Sequence, residues 1–573
     1  MHSTVSSSEI YGPGSFMDKE YTDIPTDSRR ILSLIAKATP GFTQSPDVLD
    51  TVTFEGGADP IIPGPLKAPP VAAALHAMCG IVANEILDKR DGKDPNRRVN
   101  INTDHAAFWL GTVGLFQWNG MDLKEIIDAG KAQEFFKVDF EKGAFRTPLR
   151  ARATANYPTK VPGVWYQLHG SLDSDSALRA IGLDPDTPCD SPQAAYDLIS
   201  QHVQLFSADE LEMINIKLGL CGNTSYTPDG WRQTQMSKAL SKHPLVNYKL
   251  QSHAVPTPPT PLPQIQGDGR PLAGVKVVEL VRIIAGPVVG TTLAALGADV
   301  IRVNCSRLRD LNLLQATLNT GIRTIDIDLA KGEDLSKLLR LIEDADIFVQ
   351  GYRPGVIAKN GLSVSNLLEL AGKRGKGIVY VEENCYGPDG PFHSRPGWQQ
   401  TGDAASGASY VTARSMGHTD GRSILPALPI PDMMTGLIGA LGALMAIRDR
   451  AENGGSYHVF ASLTAAAAYP LSQEIGLYSP EVVDRVNKRF QWESMDPSMF
   501  VFELLQVVVN GWKKVFPDMF KSKFPFTTTI KGDWGNFDLL KPVVKLEDAK
   551  TTPEWKSAPV PHCYYDANTI SWI

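Results

Sequence analysis

PLAGVKVVELVRIIAGPVVGTTLAALGADVIRV, residues 271–303, decides how this chain is read. An apolar run, Val275–Leu280, leads into a Gly-Pro turn at Ala285-Gly286-Pro287, and a small-residue helix is expected over Val288–Gly297. A second strand, Asp299–Val303, follows. Strand, turn, helix and strand within some thirty residues make a βαβ unit of nucleotide-fold proportions. Gly286 and Gly290 do not make the GxGxxG fingerprint, so the unit does not hold a dinucleotide in the usual way.

Outward from this unit the alternation continues. Strands are predicted at 275–281, 299–303, 323–328, 346–350 and 378–382, with helices at 288–297, 332–344 and 363–373. That pattern specifies an α/β fold: a Rossmann-like parallel-sheet domain with helices on both faces, joined to a second, smaller domain. Upstream, AVPTPPTPLP at 254–263 has the composition of a stiff, extended connector, so residues 254–273 are read as a linker. The remaining divisions are a disordered Ser/Gly/Pro-rich tail over 1–28, an N-terminal region over 29–253, the main domain over 274–475 and a C-terminal extension over 476–573. The extension offers one assignable element, an amphipathic helix near Phe500–Trp512. Val71–Leu87 followed by the β-like run Arg98–Thr103 has the same plan as Met434–Ile447 followed by Tyr457–Ser462. This weak internal repeat is read as a degenerate first copy, against chance likeness of two Ala/Gly-rich helices.

A chain of 573 residues needs more than one core, and its net charge of −7 argues against nucleic-acid binding. The six cysteines show no CxxC spacing, and the eleven histidines form no HxxxH or HxH pair, so no metal site is expected. The first residues lack a secretory pattern, and Met433–Ile447 is shorter than a membrane span. A soluble cytoplasmic protein with no membrane partner is the expectation.

The motifs resemble those of the class III CoA-transferases, the CaiB/BaiF family, in order and spacing over roughly residues 270–470. The opening segment at 271–303 is similar to the family's "PLxG…AGP…LGADVI(R/K)V", and Gly321–Leu329 to "GKR…DL". Ala345–Val349 followed by Tyr352-Arg353-Pro354-Gly355 resembles "ADV…PG", and Tyr386-Gly387 with Gly390-Pro391 resembles "YGxxGP". Read without the family, Asp432 stands after Pro431 at a helix start, where a carboxylate is favoured as a cap and nothing more. With the family, Asp432 and Gly436 fall on the nucleophile motif, which implies transfer of CoA through an aspartyl anhydride and thioester. In the first copy, Ala73 and Ala74 are taken to stand at the aspartate's place, so that copy looks catalytically empty.

The resemblance further implies CoA thioesters and carboxylic acids as substrates, with no permanently bound cofactor. It points to Ile283, Ile284 and Ala285 in the turn, with Arg302, Arg323, Tyr352 and Lys359, as the CoA-binding set. Gly402 and Gly407 are candidate backbone donors to an oxyanion, and Trp398 is expected to narrow the acyl pocket. Trp398 replaces the base histidine of the family's racemases, and its indole cannot abstract a proton. Ile322 stands where "GKR" has its lysine, and Asn304 where an acidic residue is expected. Two alternatives stay open: an acyl-CoA racemase or isomerase with an unidentified second base, and a non-catalytic acyl-CoA-binding protein. Family members form interlocked homodimers; a fused first copy would supply such contacts within one chain, so monomer and dimer both remain.

Overall fold

The structure, a computed structural model, describes residues 5–252, 255–520 and 524–573. Its main sheet has seven strands: β1 (Asn247–Gln251), β2 (Lys276–Leu280), β3 (Asp299–Asn304), β4 (Arg323–Asp326), β5 (Ile347–Gln350), β6 (Val379–Asn384) and β7 (Ser456–Ser462). Their order is β4-β3-β2-β5-β6-β7-β1, parallel throughout except for β1. Val278 lies beside Ile301 and Phe348, and Val381 beside Val349 and Val459, all fully buried. Strands covered on both faces need near-continuous apolar runs, and that is why these strands are legible in the sequence. The order reverses between β2 and β5, which opens a crevice at the carboxyl ends of those two strands.

Seven helices matter for the site: α1 (Ala68–Asp91), α2 (Ala285–Ala295), α3 (Gly332–Asp344), α4 (Val364–Arg374), α5 (Gln399–Ser406), α6 (Ile430–Asn453) and α7 (Val501–Val515). Helix α2 starts three residues before its expected position, so Gly286-Pro287 is its first turn and not a preceding one. Proline is tolerated there because the first N–H groups of a helix have no internal partner. The real turn is Arg282–Ile284, with Ile283 at φ 71°. A β-branched residue in that region is strained, and such strain concentrates at functional sites.

Helix α6 is apolar all round because it is enclosed all round. It packs on α1, α2 and β7. Both α1 and α6 are 24 residues long and apolar enough to span a membrane, yet 94% and 100% of their apolar windows are buried inside the protein. The apolar stretch expected at 433–447 therefore undercounts α6, which continues past the charged Arg448-Asp449-Arg450.

The linear division of the chain does not carry into space. Residues 1–4 and 253–254, parts of the expected tail, N-terminal region and linker, lie outside the described residues. Residues 5–28, expected to be disordered, are ordered: Val5–Ser7 pairs with Phe16–Asp18, and Asp18 and Asp27 both hold the buried Lys67 ammonium, at 2.6 and 2.8 Å. The Pro-rich stretch lies against the main domain through Gly455 N–H to Thr257 O and Thr260 N–H to Arg450 O. β1, from before that stretch, caps the main sheet's edge. The C-terminal extension pairs Gly535–Leu540 with Phe116–Trp118, and Lys545–Leu546 with Val99–Asn102. Its end covers the opposite edge, Tyr565 N–H donating to Thr324 O beside β4.

The repeated plan takes a defined form. α1, the strand Val99–Asn102 and the helix Thr103–Trp109 follow the same sequence of elements as α6, β7 and the helix Leu463–Ala468. In each, the residue ending the strand caps the short helix: Asn102 Oδ1 accepts from His105 N–H, and Ser462 Oγ from Ala465 N–H. Counted from the two helix starts, Pro70, rather than Ala73 or Ala74, stands at the position of Asp432. Asp104 and His105 serve structure, Asp104 accepting from Gly57 N–H and His105 Nε2 lying 3.0 Å from Lys541 O.

Candidate active site

Two cavities meet at Asp432. One is a wide cleft of about 770 Å³ at the carboxyl ends of β2, β5 and β6. The other is a smaller cavity of about 70 Å³ behind it. Ile283, Ile284, Trp398, His169 and Asp432 line both. Asp432 sits in the first turn of α6, where free N–H groups favour a carboxylate. Among the described residues its carboxyl has no ion pair and no side-chain hydrogen bond. Burial pushes its pKa up to about 7. Two further carboxyls share the neighbourhood. Glu383, at the end of β6, lines the cleft; burial and then the nearby Asp432 charge raise it to about 8. Asp403 is raised well above its usual range, chiefly by burial, and accepts from Gln399 Nε2 at 3.0 Å.

The cleft is cationic. Arg282, Arg307, Arg309 and Arg353 line it, from the segments that follow β2, β3 and β5, together with Arg395, which is held to Glu212 at 2.7 Å. The Arg282 guanidinium lies 5.6 Å from the centre of the Tyr352 ring, and Arg309 donates to Leu172 O at 2.6 Å. Arg353 makes no side-chain hydrogen bond or ion pair among the described residues. Beyond Arg307 a side pocket of about 190 Å³ contains Tyr352 and Lys359.

Of the expected CoA-binding set, Ile283, Ile284, Ala285, Tyr352 and Lys359 face these cavities. Arg302 and Arg323 do not. Arg302 is 1% exposed; its Nε donates to Glu279 at 2.6 Å and its other nitrogens to Asn319 Oδ1 and Pro287 O. Arg323 is the first residue of β4, at the sheet's amino end and away from the cleft, held to both Asp299 oxygens at 2.7 Å. Gly402 lies within α5 against the Leu463 backbone, and Gly407 ends α5 at φ 95° against Pro228; neither lines either cavity at Asp432. They are packing and turn glycines. The five cleft arginines are absent from the expected set, although Arg282 and Arg353 closely follow strands that flank the switch point, a signal present in the sequence.

Trp398 lines both cavities, stacked on His169 with ring centres 5.0 Å apart. His169 is fully committed. Its Nδ1 accepts from Ser171 N–H at 2.9 Å, so Nε2 carries the proton and donates to Gln400 Oε1 at 3.0 Å. Burial lowers its pKa to about 4, so it is neutral at pH 7.

This site sits where α/β proteins bind their ligands, and comparison with known proteins gives it a class. The family model described as CoA-transferase family III matches residues 272–507. An acyl-CoA transferase of Gibberella moniliformis is 43% identical over 574 residues, covering 99% of each chain. The acetyl-coenzyme A transferase nodX of Hypoxylon pulicicidum is 32% identical over 447 residues, 75% of this chain and 73% of that one. A CAIB/BAIF family protein from Brucella suis, of known structure, shares 27% identity over 35% of this chain and 55% of its own, with a TM-score of 0.30. The chain belongs to CoA-transferase family III, the CaiB/BaiF family, and is an acyl-CoA transferase by class.

Proposed function

We propose that the protein moves CoA from an acyl-CoA to a free carboxylic acid with Asp432 as the covalent relay. The observation that carries this reading is the position of Asp432. It is an unpartnered carboxyl where a cationic cleft of about 770 Å³ meets a smaller, mainly apolar cavity.

The cleft arginines hold the phosphates of CoA, and Tyr352 and Lys359 its nucleotide end. The thioester carbonyl then lies between Ile283 and Trp398. The Asp432 carboxylate attacks it, the C–S bond breaks, and CoA leaves as thiolate, giving a mixed anhydride. The thiolate attacks the aspartyl carbonyl and expels the donor carboxylate, leaving CoA as an Asp432 thioester. The acceptor carboxylate attacks that thioester, releasing thiolate and forming a second anhydride. Attack of the thiolate on the acceptor's carbonyl yields the new acyl-CoA and restores Asp432. Each exchange replaces one difficult displacement by two easier ones. No step needs an external base, which suits a site whose histidine is neutral and fully bonded.

The racemase alternative needs a second base on the acyl side. Trp398 has no titratable group near neutrality, and both His169 nitrogens are engaged. A 2-methylacyl-CoA incubated in heavy water with an isotopically labelled carboxylic acid separates the two. CoA is expected to appear on the labelled acid while the α-position stays free of deuterium. Rapid α-deuteration without exchange of CoA would replace this reading by the racemase one.

A further inference from the structure

The smaller cavity specifies what kind of acyl group the site takes. Its walls are Phe145 and Leu172 from the N-terminal region, Leu311 and Leu314 from the main domain, and Phe502 and Leu505 from α7. Three separate parts of the chain thus converge to form it. Among the described residues no lysine or arginine lines it.

Most of the polar atoms it contains are already bonded to one another or to backbone, the Gln400 Nε2 amide being a neutral donor with no such bond among the described residues. Thr154 Oγ1 accepts from Gly170 N–H, and Trp398 Nε1 donates to Ser171 Oγ, which donates to Cys221 Sγ. Gln399 is held by Asp403 and Leu428 O, and His169 by Gln400 and Ser171 N–H. A ligand group entering here finds mainly apolar surface, the neutral Gln400 amide and one acidic group, Asp432, at the mouth. A second carboxylate on the acyl chain would be buried without a cation and close to Asp432, which is strongly unfavourable.

Resting on the transferase reading, we infer that the donor and acceptor are unbranched or compact apolar monocarboxylic acids and that dicarboxylic acyl groups are excluded. A volume of about 70 Å³, at roughly 10–15 Å³ for each water-sized group, seats about five to seven non-hydrogen atoms.

Unreactive S-alkyl-CoA thioethers test this without any turnover. Calorimetric binding to the wild-type protein at pH 8 would be measured for S-ethyl-, S-butyl-, S-hexyl-, S-dodecyl- and S-(3-carboxypropyl)-CoA. Each methylene up to hexyl is expected to tighten binding by about two- to fourfold. Dodecyl should gain nothing over hexyl, and the carboxypropyl compound should bind at least roughly 100-fold more weakly than butyl. Carboxypropyl binding as tight as butyl, or affinity independent of chain length, would overturn the inference. Because thioethers have no reactive carbonyl, these results stand apart from the role of Asp432. A protein that binds the series as expected but transfers nothing would refute the relay and leave the pocket assignment intact.

Discussion

Asp432→Asn is expected to reduce CoA transfer by on the order of 10⁴-fold or more, because it removes the nucleophile and leaves only binding and positioning. The same change should stabilise the fold at neutral and alkaline pH. The sign follows from the raised value: Asp432 moves from an ordinary 3.8 to about 7 in the folded protein, so the native state holds a proton that the unfolded chain has released. This group's contribution to stability is therefore intact below about pH 4 and is lost as pH rises toward 7. A carboxyl raised that far forfeits on the order of 4 kcal/mol once it is fully ionised, and asparagine forfeits none of it. Denaturant unfolding at pH 5 and pH 8 checks this: the gap between variant and wild type should widen at pH 8. Transfer by the wild type should rise with pH through about 7 as Asp432 ionises. An asparagine variant with wild-type turnover would remove Asp432 from the chemistry.

Gly436→Val should have the next largest effect, and it acts through packing. Gly436 lies one turn beyond Asp432 in α6, where that helix crosses α2. A Cβ there would overlap Ala285 O and stand 2.5 Å from the Val288 Cβ. No flexible side-chain end is available to move, because one neighbour is backbone and the other is the root of a β-branched residue. Valine must push the two helices apart, at a cost of about 1–3 kcal/mol or more. The displaced parts are the Asp432 turn and the Ile283–Ala285 turn, so transfer should fall by about 100-fold even in the fraction that stays folded. Activity normalised to native protein, measured by circular dichroism alongside turnover, tests this. Unchanged specific activity would mean that the α2–α6 crossing does not position the site.

How much of this can be read in advance depends on which physical rule each residue obeys. β2 through β6 are legible because doubly covered parallel strands require unbroken apolar runs, and Asp432 is legible because a proline and a long apolar run define a helix start. The cations depart from expectation for a geometric reason. Arg302 and Arg323 lie inside or at the amino end of strands, where side chains meet the core or the far rim. Arg282 and Arg353 lie beyond strand ends that open on the crevice. Strand polarity, rather than charge, distinguishes them. Most of the smaller cavity is not legible beyond Trp398 and the Ile283-Ile284 turn, since Leu172, Leu314 and Leu505 are distant in sequence and only tertiary contact unites them. The order of residues 5–28 escapes a compositional reading because polar composition conceals the buried pairing of Asp18 and Asp27 with Lys67.

The central claim, that CoA passes through Asp432, is tested most directly by trapping. The protein would be incubated with a saturated short-chain acyl-CoA, quenched with hydroxylamine, and mapped by peptide mass spectrometry. A hydroxamate on the peptide containing Asp432, absent from the Asp432→Asn variant, is the result expected. A hydroxamate on Glu383, Asp403 or any other residue, or none while transfer proceeds, would contradict the account.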